Sequence, residues 1–163
     1  MSRKIYITPQ GARALRDELN YLWKEKRPEV TQKVSDAAAL GDRSENADYI
    51  YGKKQLREID KRIRYLQKRL DNLEIVDRKP DDQDKIFFGA FLQLEDEDGE
   101  TVQYRIVGAD EFDLKKGWIS LDSPMAKSLL GKRVGDDVLI RRPAGDVEMH
   151  VLAVSYDAPV SNP

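Results

Sequence analysis

From Leu56 to Leu73 the apolar residues Leu56, Ile59, Ile63, Leu66, Leu70 and Leu73 alternate at spacings of three and four. This is the a/d seam of a helix packed along its whole length against one partner. Extended backwards, the seam takes in Gly52 and Tyr49. A second stripe lies upstream at Leu15, Leu19, Leu22, Val30, Val34 and Ala37, with an imperfect heptad. Thr8-Pro9 is a helix start, an N-cap residue followed by proline at the first helical position. Pro28 falls inside the run and is expected to kink or break the helix, and Gly41 ends it as a C′ residue. Two long helices with a short connection, Gly41 to Asn46, pack antiparallel as a hairpin. The second, from about 47 to 74, would be roughly 40 Å long. That is more than a compact domain of this size needs, so the tip is expected to project into solvent.

Charged residues make up 36% of the chain, above the ~25% of typical globular proteins. The absence of cysteine excludes disulfides and thiolate zinc sites. No apolar run approaches the ~18 residues of a membrane span, and no apolar h-region follows Met1, which points to the cytoplasm and away from membranes. The charge is divided. Residues 1–79 hold 19 Lys and Arg against 13 Asp and Glu, and residues 80–163 hold 9 against 17. The basic half is the one suited to phosphates.

Residues 76–85 read as a linker. Beyond them the period changes to two. Strands are expected at 86–94, 101–107, 118–121, 138–142 and 147–154, with an acidic turn at 96–99 and a short helix from Ser123-Pro124 to Leu130. The fold class is therefore α+β. An antiparallel coiled-coil hairpin (1–79) precedes a small domain with a largely antiparallel sheet (80–163).

Three constellations could carry chemistry. The first is the tip, Gly41 to Tyr49, with carboxylates at Asp42, Glu45 and Asp48. These are hard oxygen ligands suited to Mg²⁺, which often takes only one or two protein carboxylates. Asp42-x-x-Glu45 is also the spacing of a capping box, and spacing alone favours the cap. The second is a basic stripe, Lys54, Arg57, Lys61, Arg64 and Lys68, widened by Lys53, Arg62 and Arg69. It is offset by two residues from the apolar seam and so points nearly away from the partner helix. Charged faces usually alternate in sign; this one does not, which favours phosphate contact. Tyr49, Tyr51 and Tyr65 could stack on bases or simply pack. The third is the run from Ser123 to Gly131, which could dock a partner or pack a helix on the sheet, packing being the commoner use. No Walker loop, dinucleotide fingerprint, nucleophile elbow or HExxH motif is present.

The tip segment from Leu40 to Tyr49 (LGDRSENADY) resembles the bacterial Gre transcript-cleavage factors, of the GreB type. So do Glu18 to Trp23, Arg27 to Thr31, Leu56 to Arg62, Lys85 to Ala90 and Ile119 to Ala126. The resemblance spans nearly the whole chain, to about Asp157. It implies a transcription elongation factor whose hairpin enters the secondary channel of RNA polymerase. An FKBP-like C-terminal domain would anchor at the channel rim through Ser123, Pro124, Met125 and Ala126. Asp42 and Glu45 would hold a Mg²⁺ shared with the polymerase active site, with Ser44, Asn46, Asp48 and Tyr49 supporting the tip. The polymerase would then cleave backtracked RNA and create a new 3′ end, the factor acting as a monomer with no cofactor of its own. Extruded RNA would lie along Lys53, Lys54, Arg57, Lys61, Arg62, Arg64 and Lys68. DNA binding is implied as a property of the same transcription complex. Two alternatives stand beside this reading. One is a channel binder that does not promote cleavage. The other, by fold analogy, is a prolyl isomerase with an aromatic pocket built from Phe87, Tyr104 and Trp118.

Overall fold

The computed structural model describes residues 4–41 and 46–159. The chain divides into two compact units. One contains Ala12–Leu73, and the other contains Ile5–Gly11 together with the chain from Glu74 onward.

The first unit is a helical hairpin. Helix α1 (Pro9–Tyr21) continues through one π-helical turn (Leu22–Lys26) into α2 (Arg27–Ala39), and α3 (Ala47–Asp71) returns antiparallel to α2. Pro28 does not break the helix. Its missing N–H leaves the Lys24 carbonyl without its α-helical donor, and the turn just before it widens. The Arg27 N–H reaches five residues back, to the Leu22 carbonyl. Leu40 caps α2, and Gly41 follows at φ +146°, a conformation open to glycine.

The hairpin core is the seam read from the sequence. Val30, Ile59 and Ile63 are buried together, and Leu19, Leu22, Val34 and Leu56 pack around them. Gly52 lets the helices close. A Cβ there would meet Val34 Cγ2 at 2.8 Å. Ion pairs cross the hairpin. Arg62 donates from both Nε and Nη2 to the Glu18 carboxylate (2.7 and 2.8 Å), and Arg27 Nε donates to Asp60 (2.7 Å). The Arg62 hydrogen bond holds the Glu18 carboxyl below its ordinary value, against the opposing effect of partial burial.

The second unit is built on a five-stranded sheet of order β5-β4-β3-β7-β6. Its strands are β3 (Phe91–Glu95), β4 (Thr101–Val107), β5 (Trp118–Ser120), β6 (Asp137–Ile140) and β7 (Val147–Ser155). All neighbours are antiparallel except β4 and β5. Helix α4 (Pro124–Leu129) adds Ala126 and Leu129 to a core of Ile86, Leu92, Leu94, Ile106, Ile140 and Val151. The strand expected from Ile86 begins only at Phe91, because Gly89 turns the chain at φ +87°. A two-stranded ribbon, β1 (Ile5–Ile7) with β2 (Leu73–Ile75), was not expected from the sequence.

Glu111 fixes the start of α1. Its carboxylate accepts from the backbone N–H of Thr8 (3.1 Å) and Gly108 (2.8 Å) and from the Thr8 hydroxyl. The Thr8 oxygen in turn accepts from the Gly11 N–H (3.1 Å), the N-cap bond expected of Thr8. Gly11 and Gly108 leave room for this carboxylate, since a Cβ on Gly11 would lie 2.2 Å from it and one on Gly108 3.0 Å.

Two predictions follow from the hairpin. Gly52→Ala gains about 1 kcal/mol of helix propensity but overpacks against Val34, at a cost of about 1–3 kcal/mol. A net loss is expected on urea denaturation monitored by helical circular dichroism. In a Val34→Ala background the same change should stabilise, and a loss in both backgrounds would rule out the Val34 contact as its cause. The second prediction concerns Glu18. A carboxyl with a lowered folded-state pKa contributes stability above its ordinary value near 4.5 and loses it as pH falls below that. Glu18→Gln should therefore cost about 0.5 kcal/mol at neutral pH, a figure discounted for exposure. It should also flatten the decline in hairpin stability as the pH falls below about 4.5. An unchanged acid slope would show that the pair carries none of it.

Candidate functional site

The hairpin tip is pinned from its α3 side. Asn46 is the N-cap of α3, its side-chain oxygen accepting from the Tyr49 N–H at 3.1 Å. Its side-chain amide also donates to the Ala37 carbonyl at 2.6 Å, an oxygen at the end of α2 that also accepts the Leu40 backbone N–H at 3.2 Å. One side chain thus ties the end of one helix to the start of the other. The N-cap role, weighed above for Asp42, belongs to Asn46. Asp48 lies in the first turn of α3, where the helix dipole favours negative charge. Tyr49 is half-buried. Asp42, Ser44 and Glu45 lie outside the described residues.

The basic stripe keeps its geometry. Lys53, Lys54, Arg57, Lys61, Arg62, Arg64 and Lys68 are all exposed, while Gly52, Ile59, Ile63 and Leu66 of the same helix are buried. One member is corrected. Arg62 is committed to Glu18 across the hairpin and stacks over the Tyr65 ring at 5.1 Å, so it is a structural cation rather than a free one. The other six form no ion pair among the described residues. The diluting carboxylate Asp60 is taken by Arg27, which leaves Glu58 as the opposing charge along this stretch. Of the tyrosines, Tyr51 is exposed. Tyr65 lies between the Arg62 and Arg69 guanidiniums, the latter at 5.6 Å.

The run at α4 divides by position. Ser123 spends its hydroxyl as N-cap, accepting from the Ala126 N–H at 3.1 Å. Ala126 is fully buried in the sheet core, so it is a packing residue and not a docking contact. Met125 packs partly against the same core, and Pro124 is exposed. The three aromatic side chains weighed for an isomerase pocket do not converge. Tyr104 packs on the core, whereas its neighbour Arg105 stacks on Trp118 from the other face of β4, and Phe87 lies beside Lys85. Among the described residues no cluster of His, Cys, Asp and Glu could hold a metal ion, and no described helix is long and apolar enough to cross a membrane.

Sequence reasoning passed over Glu111 and Arg105. Glu111 acts on a residue 103 positions away, and no local spacing signals such a pairing. Arg105 sits in the alternation of β4 as an ordinary outward residue, and its stacking on Phe91 and Trp118 depends on the pairing of three strands.

Comparison with known proteins identifies the family. Residues 5–75 match the family model described as transcription elongation factor, N-terminal, and residues 80–156 match transcription elongation factor, GreA/GreB, C-term. The transcription elongation factor GreB of Haemophilus influenzae is 58% identical over 157 residues, covering 96% of this chain and 99% of the relative. That of Pseudomonas aeruginosa is 58% identical over 150 residues, covering 92% and 89%. A crystal structure of the GreA factor homolog 1 protein of Thermus thermophilus is 28% identical, covering 94% of this chain and 99% of that one, with a TM-score of 0.43. Two family models that together take in both units, and relatives at this identity over nearly the full length, establish that the chain belongs to the GreA/GreB family of transcription elongation factors.

Proposed function

We propose that this protein stimulates the intrinsic endonucleolytic cleavage of backtracked RNA by bacterial RNA polymerase, so that an arrested complex gains a new RNA 3′ end. The observation that carries the reading is the outward face of α3. Six cations, Lys53, Lys54, Arg57, Lys61, Arg64 and Lys68, stand exposed and without ion pairs among the described residues, on a helix whose N-terminus is pinned next to the acidic segment. A surface of one sign on a rigid helix suits a single-stranded polyanion tracking its length.

In this reading the hairpin enters the polymerase secondary channel, and the extruded RNA 3′ segment lies along the six cations. Asn46 holds the ends of α2 and α3 together, and Asp42 and Glu45 fall between those ends in the sequence. Those two carboxylates have the donor chemistry to hold a Mg²⁺ shared with the polymerase. When bound, such an ion activates water and stabilises the displaced oxygen of a phosphodiester. The factor acts in the cytoplasm as an accessory to the polymerase. Pro124, with the half-exposed Ser123 and Met125, is the part of the α4 run able to contact the channel rim.

The decisive measurement uses a defined backtracked elongation complex. Added protein should accelerate internal RNA cleavage. Asp42→Asn or Glu45→Gln should slow it by roughly 100-fold, the scale of losing one group that stabilises developing charge, while polymerase binding persists. Undiminished cleavage by both variants would leave the carboxylates without a role, and binding without any cleavage by the unaltered protein would establish a non-cleaving channel binder. The stripe gives an independent prediction. Neutralising Arg57, Lys61 and Arg64 together should weaken RNA 3′-end crosslinking. It should also lower the slope of log affinity against log salt by about 2, at ~0.7 per phosphate contact on a single strand. An unaltered slope would place the RNA elsewhere.

A further inference from the structure

The globular unit holds a cavity of about 140 Å³. Its walls come from Thr8–Gln10 at the start of α1, from residues 76–79, and from Arg105 and Tyr156, all within this one unit.

Its charge is lopsided. Arg78, Lys79 and Arg105 line it against one carboxylate, Asp77. Lys79 is paired with Asp157. Arg105 is not paired. Its Nε donates to the Gly89 carbonyl at 3.3 Å, and its guanidinium lies over the Phe91 ring at 4.3 Å and the Trp118 ring at 5.1 Å. No carboxylate pairs with it among the described residues. Glu111 is near enough to be felt, but its oxygens are occupied by Thr8 and Gly108. The four N–H groups of the Arg105 terminus therefore have no acceptor among the described residues. Half-burial pushes the Arg105 pKa down, the signature of a cation that has lost water without gaining a full counter-charge. Arg78 likewise forms no ion pair among the described residues. The Tyr156 hydroxyl is already spent, donating to the Lys85 carbonyl and accepting from the Phe87 N–H.

We propose that this cavity binds a phosphate group between Arg105 and Arg78, giving the factor an anion site in its globular unit, separate from the basic face of α3. A rigidly stacked guanidinium presents a planar fork that takes two oxygens at once. A tetrahedral dianion keeps further oxygens for a second guanidinium, which a single carboxylate does not. The shared chemistry is the phosphate group, whether free or carried by a nucleotide.

The test is a ¹H–¹⁵N NMR titration of the full-length protein at constant ionic strength, with inorganic phosphate and, separately, adenosine monophosphate. Saturable shifts are expected at Thr8, Gln10, Arg78 and Arg105, including the Arg105 side-chain Nε–H. Arg78→Gln, an exposed change that spares the fold, should weaken binding roughly tenfold, the scale of one charge-assisted hydrogen bond. Arg105→Lys should weaken it at least as much, because the fork is lost. Tighter binding of the nucleotide would identify a nucleotide as the source, and equal binding would identify free phosphate. Shifts confined to α3, or a dissociation constant unchanged in Arg78→Gln, would overturn the proposal.

Discussion

The seam between α2 and α3 is the constraint on which the rest of the hairpin depends. Helix α3 is 25 residues long, roughly 37 Å at 1.5 Å per residue. A helix this rich in like charge has little propensity-based reason to stay intact by itself. Burial of Ile59, Ile63 and Leu66 on one face keeps it helical, and the same burial determines which residues face outward. Because the cations lie two positions from the seam, anchoring the apolar face aims the basic one. Gly52 extends this logic towards the tip. Without a side chain there, the backbones of α2 and α3 can approach at Val34, close to where Asn46 joins their ends.

The π turn at Leu22–Lys26 belongs to the same problem. The apolar stripe of the first helical arm of the hairpin jumps eight residues, from Leu22 to Val30. In a regular α-helix eight residues overshoot two turns by about 80°, which would carry Val30 and Val34 off the face that Leu19 and Leu22 define. One wide turn takes up the excess, and Val30 returns to the core beside Ile59 and Ile63. Pro28 supplies the local reason for the wide turn to sit where it does, since it could not have donated to Lys24 in any case. What reads in the sequence as a defect in the heptad is the feature that keeps the heptad face aligned.

Much of this was legible because it is local and periodic. The seam, the Thr8 N-cap, Gly41 and the stripe all follow from spacings within one helix or one turn, and each appears where the pattern placed it. The misreadings share a different cause. Asp42-x-x-Glu45 and Asn46-x-x-Tyr49 are successive cap registers, and the N-cap of α3 is Asn46, which also reaches the Ala37 carbonyl, a contact nine residues back that no spacing rule contains. Arg62 looked like one more cation of the face until the antiparallel packing brought Glu18 to it. Ala126 looked like part of a docking run until the sheet closed over it. Glu111 and Arg105 gain their partners only when distant strands pair, so their roles are invisible in one dimension.

The basic face carries a cost that argues for its use. Lys54 with Arg57, Arg57 with Lys61, Lys61 with Arg64 and Arg64 with Lys68 are like-charged neighbours at spacings of three or four. Each such pair opposes the helix by about 0.2–0.5 kcal/mol, on the order of 1–2 kcal/mol in all. Alternating signs would have removed that penalty without touching the core. Of the two α3 carboxylates placed to relieve it, Asp60 is drawn off by Arg27, which leaves Glu58, and Glu18 is spent on Arg62 rather than on the stripe. The cross-hairpin ion pairs thus consume Asp60 and Glu18 and leave Glu58 as the opposing charge beside six outward cations. A polyanion laid along that face would remove the repulsion and gain the attraction together. Binding energy would then come partly from strain held in the free protein, and the helix would be at its most stable with its ligand in place.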